Sequence, residues 1–141
     1  MKIKSSQVHG ISEDLMCGYK VFINLENGKI KSLIDADGID LDMEIWGKDF
    51  DEIDYEWSDY IVIEKMKSGE SFQMMADFIE EVSDEALKRR LIKALNRKKP
   101  FANFKNEIDS SSSRQSWFGF RDKRYIEYVK QELEAKNIVL E

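Results

Sequence analysis

The chain has 141 residues, 42% of them apolar and 35% charged, with a net charge of −6. This composition permits a packed core and excludes disordered and collagen-like classes, and the single Cys excludes a scaffold stapled by internal disulfides. No apolar run approaches the roughly 20 residues of a membrane span, and Met1–Ser6 has no apolar leader core, so a cytoplasmic protein with no membrane association is expected.

Residues 5–17 read as a short, weak helix. Val8, Ile11 and Leu15 share one face, and Gly18 can close it in the left-handed region. Tyr19–Glu26 then runs extended and rich in β-formers. Asn27-Gly28 follows, and then Lys29–Ile34. Asn-Gly between two such runs signals a two-residue type I′ turn, which would set Glu26 against Lys29, Leu25 against Ile30 and Phe22 against Leu33. Asp40–Trp46 alternates with an acidic face, and Tyr60–Glu64 reads as a further strand.

From Ser68 the period changes to that of a helix. Phe72, Met75, Phe78, Ile79 and Val82 form one stripe. Ser83 is the expected N-cap of the next helix, with Val82 and Leu87 placed as a hydrophobic staple. Leu87, Leu91, Ala94 and Leu95 line its buried face. Pro100 suits the first position of another helix, with Phe101, Phe104 and Ile108 on one side. After the serines at 110–113 a last helix runs from Arg114 to about Lys136, with a break expected near Gly119. Its apolar face takes in Trp117, Phe118, Tyr125, Ile126, Val129 and Leu133.

The expectation is one α+β domain over residues 1–141. A small antiparallel sheet from residues 19–64 packs with three or four C-terminal helices from residues 70–136. With no coiled-coil heptads, a monomer or weak dimer is expected.

Three boxes in the C-terminal half belong together: Leu91-Ile-Lys-Ala-Leu95, Lys99-Pro-Phe-Ala-Asn-Phe-Lys105 and Trp117-Phe-Gly-Phe-Arg121. With the strand-turn-strand of Tyr19–Ile34, they give a chain that resembles the uncharacterised bacterial protein family UPF0158 over most of its length. The resemblance implies a bacterial cytoplasmic protein and carries over no activity and no catalytic residues.

Chemistry is sparse. His9 and Cys17, the single His and the single Cys, lie about 12 Å apart along one helix, too far for a nucleophile and its base. A zinc site wants about four such ligands. Asp35, Asp37, Gly38 and Glu44 fall at positions three, five, six and twelve of a calcium loop, but position one is Leu33 and position eight is Asp40. A solvated acidic face is the leading reading of Asp35–Asp59, and a loose cation site the lesser one. No catalytic residue, metal or cofactor is assigned.

Charge is the remaining signal. Residues 1–87 hold 8 basic and 21 acidic side chains, and residues 88–141 hold 14 and 7. Between Asp35 and Asp59, 11 acids face only Lys48. The bases gather at residues 88–99 and 114–124. Either the two regions neutralise each other, or the basic one meets an acidic partner. Arg89, Arg97, Lys98, Lys99, Lys105, Arg114 and Arg121 are the candidate contacts. Phe104 and Trp117 lie beside them on apolar stripes and are expected to be core. Two functions stay open: a non-catalytic module that binds another protein or regulates it, and a nucleic-acid binder using the basic helices.

Overall fold

A computed structural model describes residues 2–34 and 60–140. The acidic segment, with the expected strand at 40–46 and the calcium-loop positions from Asp35 to Glu44, lies outside the described residues. Leu33, at position one of that loop, is a buried core residue of a strand.

The architecture is α+β, and the chain divides into two compact units. The first comprises Met1–Lys65 and Tyr125–Glu141, and the second Met66–Arg124. In the first, β1 (Lys2–Ile3) leads into α1 (Ser5–Met16). Val8, Ile11 and Leu15 are buried, as their spacing requires, and Gly18 reverses the chain at φ +93°. Cys17 is exposed at the end of α1 and is not part of the core.

Strands β2 (Tyr19–Asn24) and β3 (Ile30–Ile34) form the expected hairpin, and β4 (Tyr60–Ile63) adds antiparallel on the other edge of β2. The register corrects the turn reading. Ile23 opposes Ile30 and Phe22 opposes Lys31, two residues away from the pairing that a two-residue loop would impose. The loop is Leu25–Gly28, closed by a hydrogen bond from Asn24 N–H to the Lys29 carbonyl at 2.9 Å. Gly28 alone in the loop has positive φ, whereas a type I′ turn needs it at Asn27 too. The cause is Asn24. Its buried side-chain oxygen accepts from the amides of Glu26 (2.8 Å) and Asn27 (3.4 Å), stabilising the longer loop. Phe22 meets Tyr60 diagonally across β2 and β4, with ring centroids 5.6 Å apart.

Helix α5 (Arg114–Ala135) is continuous through Gly119, where a break was expected. Nothing lies within 4 Å of the position a Cβ would take at Gly119, so neither crowding nor a neighbour bends the helix there. Tyr125, Val129 and Leu133 are its buried residues in the first unit, and the Tyr128 hydroxyl donates to the Glu64 carbonyl at 2.7 Å. Asn137 ends α5 in the left-handed conformation, φ +63°. Ile138 N–H reaches the Leu133 carbonyl at 2.9 Å and Asn137 N–H reaches Glu134 at 3.0 Å, which is a Schellman motif. Ile138 and Leu133 are both buried, supplying its apolar contact. The chain then enters β5 (Val139–Leu140), which pairs parallel to β1.

The second unit is helical: α2 (Ser68–Glu81), α3 (Glu85–Leu95), α4 (Pro100–Asp109) and the first turns of α5. The stripe of α2 is Met74, Met75, Phe78 and Ile79, continued by Val82. Phe72 was expected in it but lies on its flank, 37% exposed. Asp84 caps α3, one residue after the expected Ser83, its carboxylate accepting from Ala86 (3.0 Å) and Leu87 (3.2 Å). A carboxylate at that end also meets the positive end of the helix dipole, which a serine hydroxyl does not match. Leu87, Leu91, Ala94 and Leu95 are buried as expected. In α4, Phe104 and Ile108 are buried while Phe101, in the first turn, is exposed. Trp117 joins Phe104 edge-on at 4.9 Å and Phe78 at 5.3 Å, and Phe120 stacks on it at 6.3 Å.

Candidate functional site

Five of the seven candidate bases are carried by α3, α4 and the turn between them, and Arg114 and Arg121 by α5. Asn96 ends α3, its side-chain amide donating to the Ile92 carbonyl at 3.0 Å. Pro100 disfavours the right-handed region for the residue before it, and Lys99 turns left-handed instead, at φ 56° and ψ 55°. A lysine in that conformation is uncommon, because its Cβ crowds the backbone. The turn is held by Asn103, whose amide nitrogen donates to the Lys98 carbonyl at 2.8 Å.

The seven candidate contacts separate into two groups. Arg89, Arg97, Lys98, Lys99 and Lys105 are exposed, and no acid among the described residues pairs with them. Arg114 and Arg121 are engaged. Arg114 reaches Asp109 at 3.4 Å and lies 4.8 Å over the Phe118 ring. Arg121 reaches Asp122 at 3.1 Å and lies 5.0 Å from the same ring. The two guanidiniums share one face of α5 with Phe118, at spacings of four and three residues. Phe118 therefore serves as a seat for its own helix's cations. Arg124 is engaged too, at 2.6 Å from Asp77 and 5.4 Å from Phe120. It holds the Asp77 carboxyl below the ordinary carboxylate range, through their hydrogen bond first and a second one from Gln73.

A feature missed in the sequence lies between α3 and α4. A surface cleft of about 360 Å³ is lined by Arg90, Lys93, Ala94 and Arg97 from α3 and its end, and by Asn103, Asn106 and Glu107 from α4. Arg90 pairs with Glu107 across it at 3.3 Å. Arg90, Lys93 and Arg97 were legible in the sequence only as members of one basic cluster. The amides opposite became meaningful only once α4 folded back on α3.

A second cleft, of about 450 Å³, is lined by residues including Ser113, Ser116, Gly119 and Lys123 of α5 and its approach, with Phe78 and Phe120. Elsewhere, His9 is exposed and sits 3.9 Å from Glu13. Among the described residues, no group of three His, Cys, Asp or Glu could hold a metal ion, and no helix is long and apolar enough to cross a membrane.

The model of the family described as "Uncharacterised protein family (UPF0158)" covers residues 8–140, so the chain belongs to that family. No curated protein and no solved structure matches it.

Proposed function

We propose that this UPF0158 member is a non-catalytic module of the bacterial cytoplasm, a monomer or weak dimer, that binds another protein through the exposed surface of α3 and α4. The partner presents an acidic surface. The observation that carries this reading is the company the exposed bases keep. Ile92 is 44% exposed on α3, three residues from Arg89, and Phe101 is 42% exposed on α4, next in line to Lys98 and Lys99 and one turn before Lys105. Large apolar side chains among cations that pair with no acid of the described residues suit a protein interface, which combines an apolar centre with a charged rim. A phosphate backbone alone would call only for the cations.

Nucleic acid is the alternative, favoured by the same exposed bases and by Phe101 as a ring on which a base can stack. One pair of experiments separates the two readings. Lys98→Glu combined with Lys99→Glu reverses charge in the turn without touching the core, at about 0.3–1 kcal/mol per exposed helix-end charge. That protein and the parent are used to capture partners from bacterial lysate, with and without nuclease, and to titrate labelled DNA and RNA at low salt. The protein-binding reading expects a partner that survives nuclease, is lost with the double variant and binds directly when purified. Capture abolished by nuclease, with direct binding whose affinity falls steeply with salt, replaces it with the nucleic-acid reading.

A further inference from the structure

The docking surface shares Arg97 with the α3–α4 cleft, whose other lining residues are not among the candidate contacts. We propose that this cleft is a binding site for a small anion carrying two or three linked phosphates. Arg90 and Lys93 stand at i and i+3 on α3, and Arg97 follows two residues past the helix end at Leu95, so three cations line one side of the cleft. Opposite them, Asn103 and Asn106 supply amides that both donate and accept. Asn103 is held in place by its bond to the Lys98 carbonyl. Ala94 lies on α3, and its small side chain keeps the space open. The volume of about 360 Å³ falls within the range of small-molecule sites.

Charge and geometry select the ligand. Three cations face one acid, Glu107, so the cleft keeps two formal positive charges. Arg90 is held by Glu107 at 3.3 Å, which offsets one of the three charges. A single carboxylate satisfies one guanidinium fork and leaves the rest. An extended acidic peptide spaces its same-side charges about 7 Å apart, one unit each. Linked phosphates concentrate several charges on one small molecule and match the planar forks of both arginines. Among the described residues no aromatic side chain lines the cleft, so they offer nothing for a base to stack on. Recognition therefore rests on the phosphate chain, and inorganic triphosphate and a nucleoside triphosphate bind alike.

The test is calorimetric titration of the full chain with inorganic triphosphate at low ionic strength. It needs no protein partner, so its outcome is independent of the docking reading. Saturable one-site binding is expected. Lys93→Gln and Arg97→Gln should each weaken it about tenfold, as loss of a charge-assisted contact does. Lys105→Gln, outside the cleft, should leave it unchanged. Glu107→Gln should tighten it several-fold, because it removes the acid of the cleft and releases Arg90. Melting curves of all four variants check that each is folded. Any of the following overturns the proposal: no saturation at millimolar triphosphate, equal losses for Lys105→Gln and Lys93→Gln, or weaker binding by a folded Glu107→Gln. So does displacement of triphosphate by a polyglutamate peptide or single-stranded RNA at equal charge.

Discussion

Trp117→Ala tests whether the aromatic boxes are core or contact surface. The indole is 8% exposed and has ring neighbours on two other helices, Phe104 at 4.9 Å and Phe78 at 5.3 Å, with Phe120 of its own helix at 6.3 Å. Truncating such a residue costs about 3–5 kcal/mol, because the void collapses only in part. Aromatic pairs add about 0.5–1.5 kcal/mol each in isolation, but the three share one ring, so their loss falls within that total and is not added to it. Against about 5–15 kcal/mol for a whole domain, this is a large fraction. At a few degrees per kcal/mol, Tm should fall by about 10–20 °C. Calorimetry and near-ultraviolet circular dichroism read the loss, and Trp117→Phe, which keeps a ring in the pocket, should lose distinctly less. A Trp117→Ala protein that melts with the parent yet loses its partner would show that the indole binds and does not pack.

Asn24→Ala leaves the amides of Glu26 and Asn27 without their acceptor and should cost about 1–3 kcal/mol in urea unfolding. An unchanged midpoint would mean that backbone bonds alone hold the hairpin loop. Gly119→Ala should stabilise the protein by about 0.5–1 kcal/mol, since the site is helical and open, and a lower Tm refutes that geometry. Asp77 has a depressed pKa when folded, so its contribution is present above the unfolded value near pH 4 and is lost as pH falls through the folded one. With the side chain 38% exposed, screening keeps the contribution below about 1 kcal/mol. Asp77→Asn should thus destabilise slightly at neutral pH and not at all in strong acid, and a deficit that persists in acid would point to packing instead. Lys98→Glu with Lys99→Glu should abolish partner binding while Tm stays within a few degrees of the parent.

The fold was legible where a pattern repeats over several turns and obscure where one side chain decides. Leu87, Leu91, Ala94 and Leu95 were read correctly because one helix buries all four. The hairpin register was not. A slip of two residues returns every side chain to the same face, so the apolar alternation fits both pairings equally. Asn24 broke the tie by capturing two loop amides, and an Asn inside a strand carries no sign of that role. Strands β1 and β5 escaped because two residues are too short to show a period. Of the site, the exposed bases Arg97–Lys99 could be named from charge alone. That Arg114 and Arg121 are spent on Asp109, Asp122 and Phe118 could not, since those pairings depend on side-chain placement. The cleft needed two helices side by side, and each sequence segment shows only its own half.

The first unit is interrupted in the chain by the whole of the second. As the polypeptide leaves the ribosome, residues 66–124 emerge complete, with both partners of the Phe104–Trp117 contact already made. The contacts that residues 2–3 and Glu64 make with the C-terminal segment must wait. Among the described residues, strand β1 has no strand neighbour until Val139 and Leu140 are synthesised, and the Glu64 carbonyl waits for Tyr128. Loop-closure entropy rises slowly with the length of chain to be closed, so the delay lies in synthesis more than in the equilibrium. Translation therefore imposes an order on maturation: the inserted helices form first, and the N-terminal sheet unit is finished last. A stop codon before residue 125 would leave the insert whole and its host unfinished.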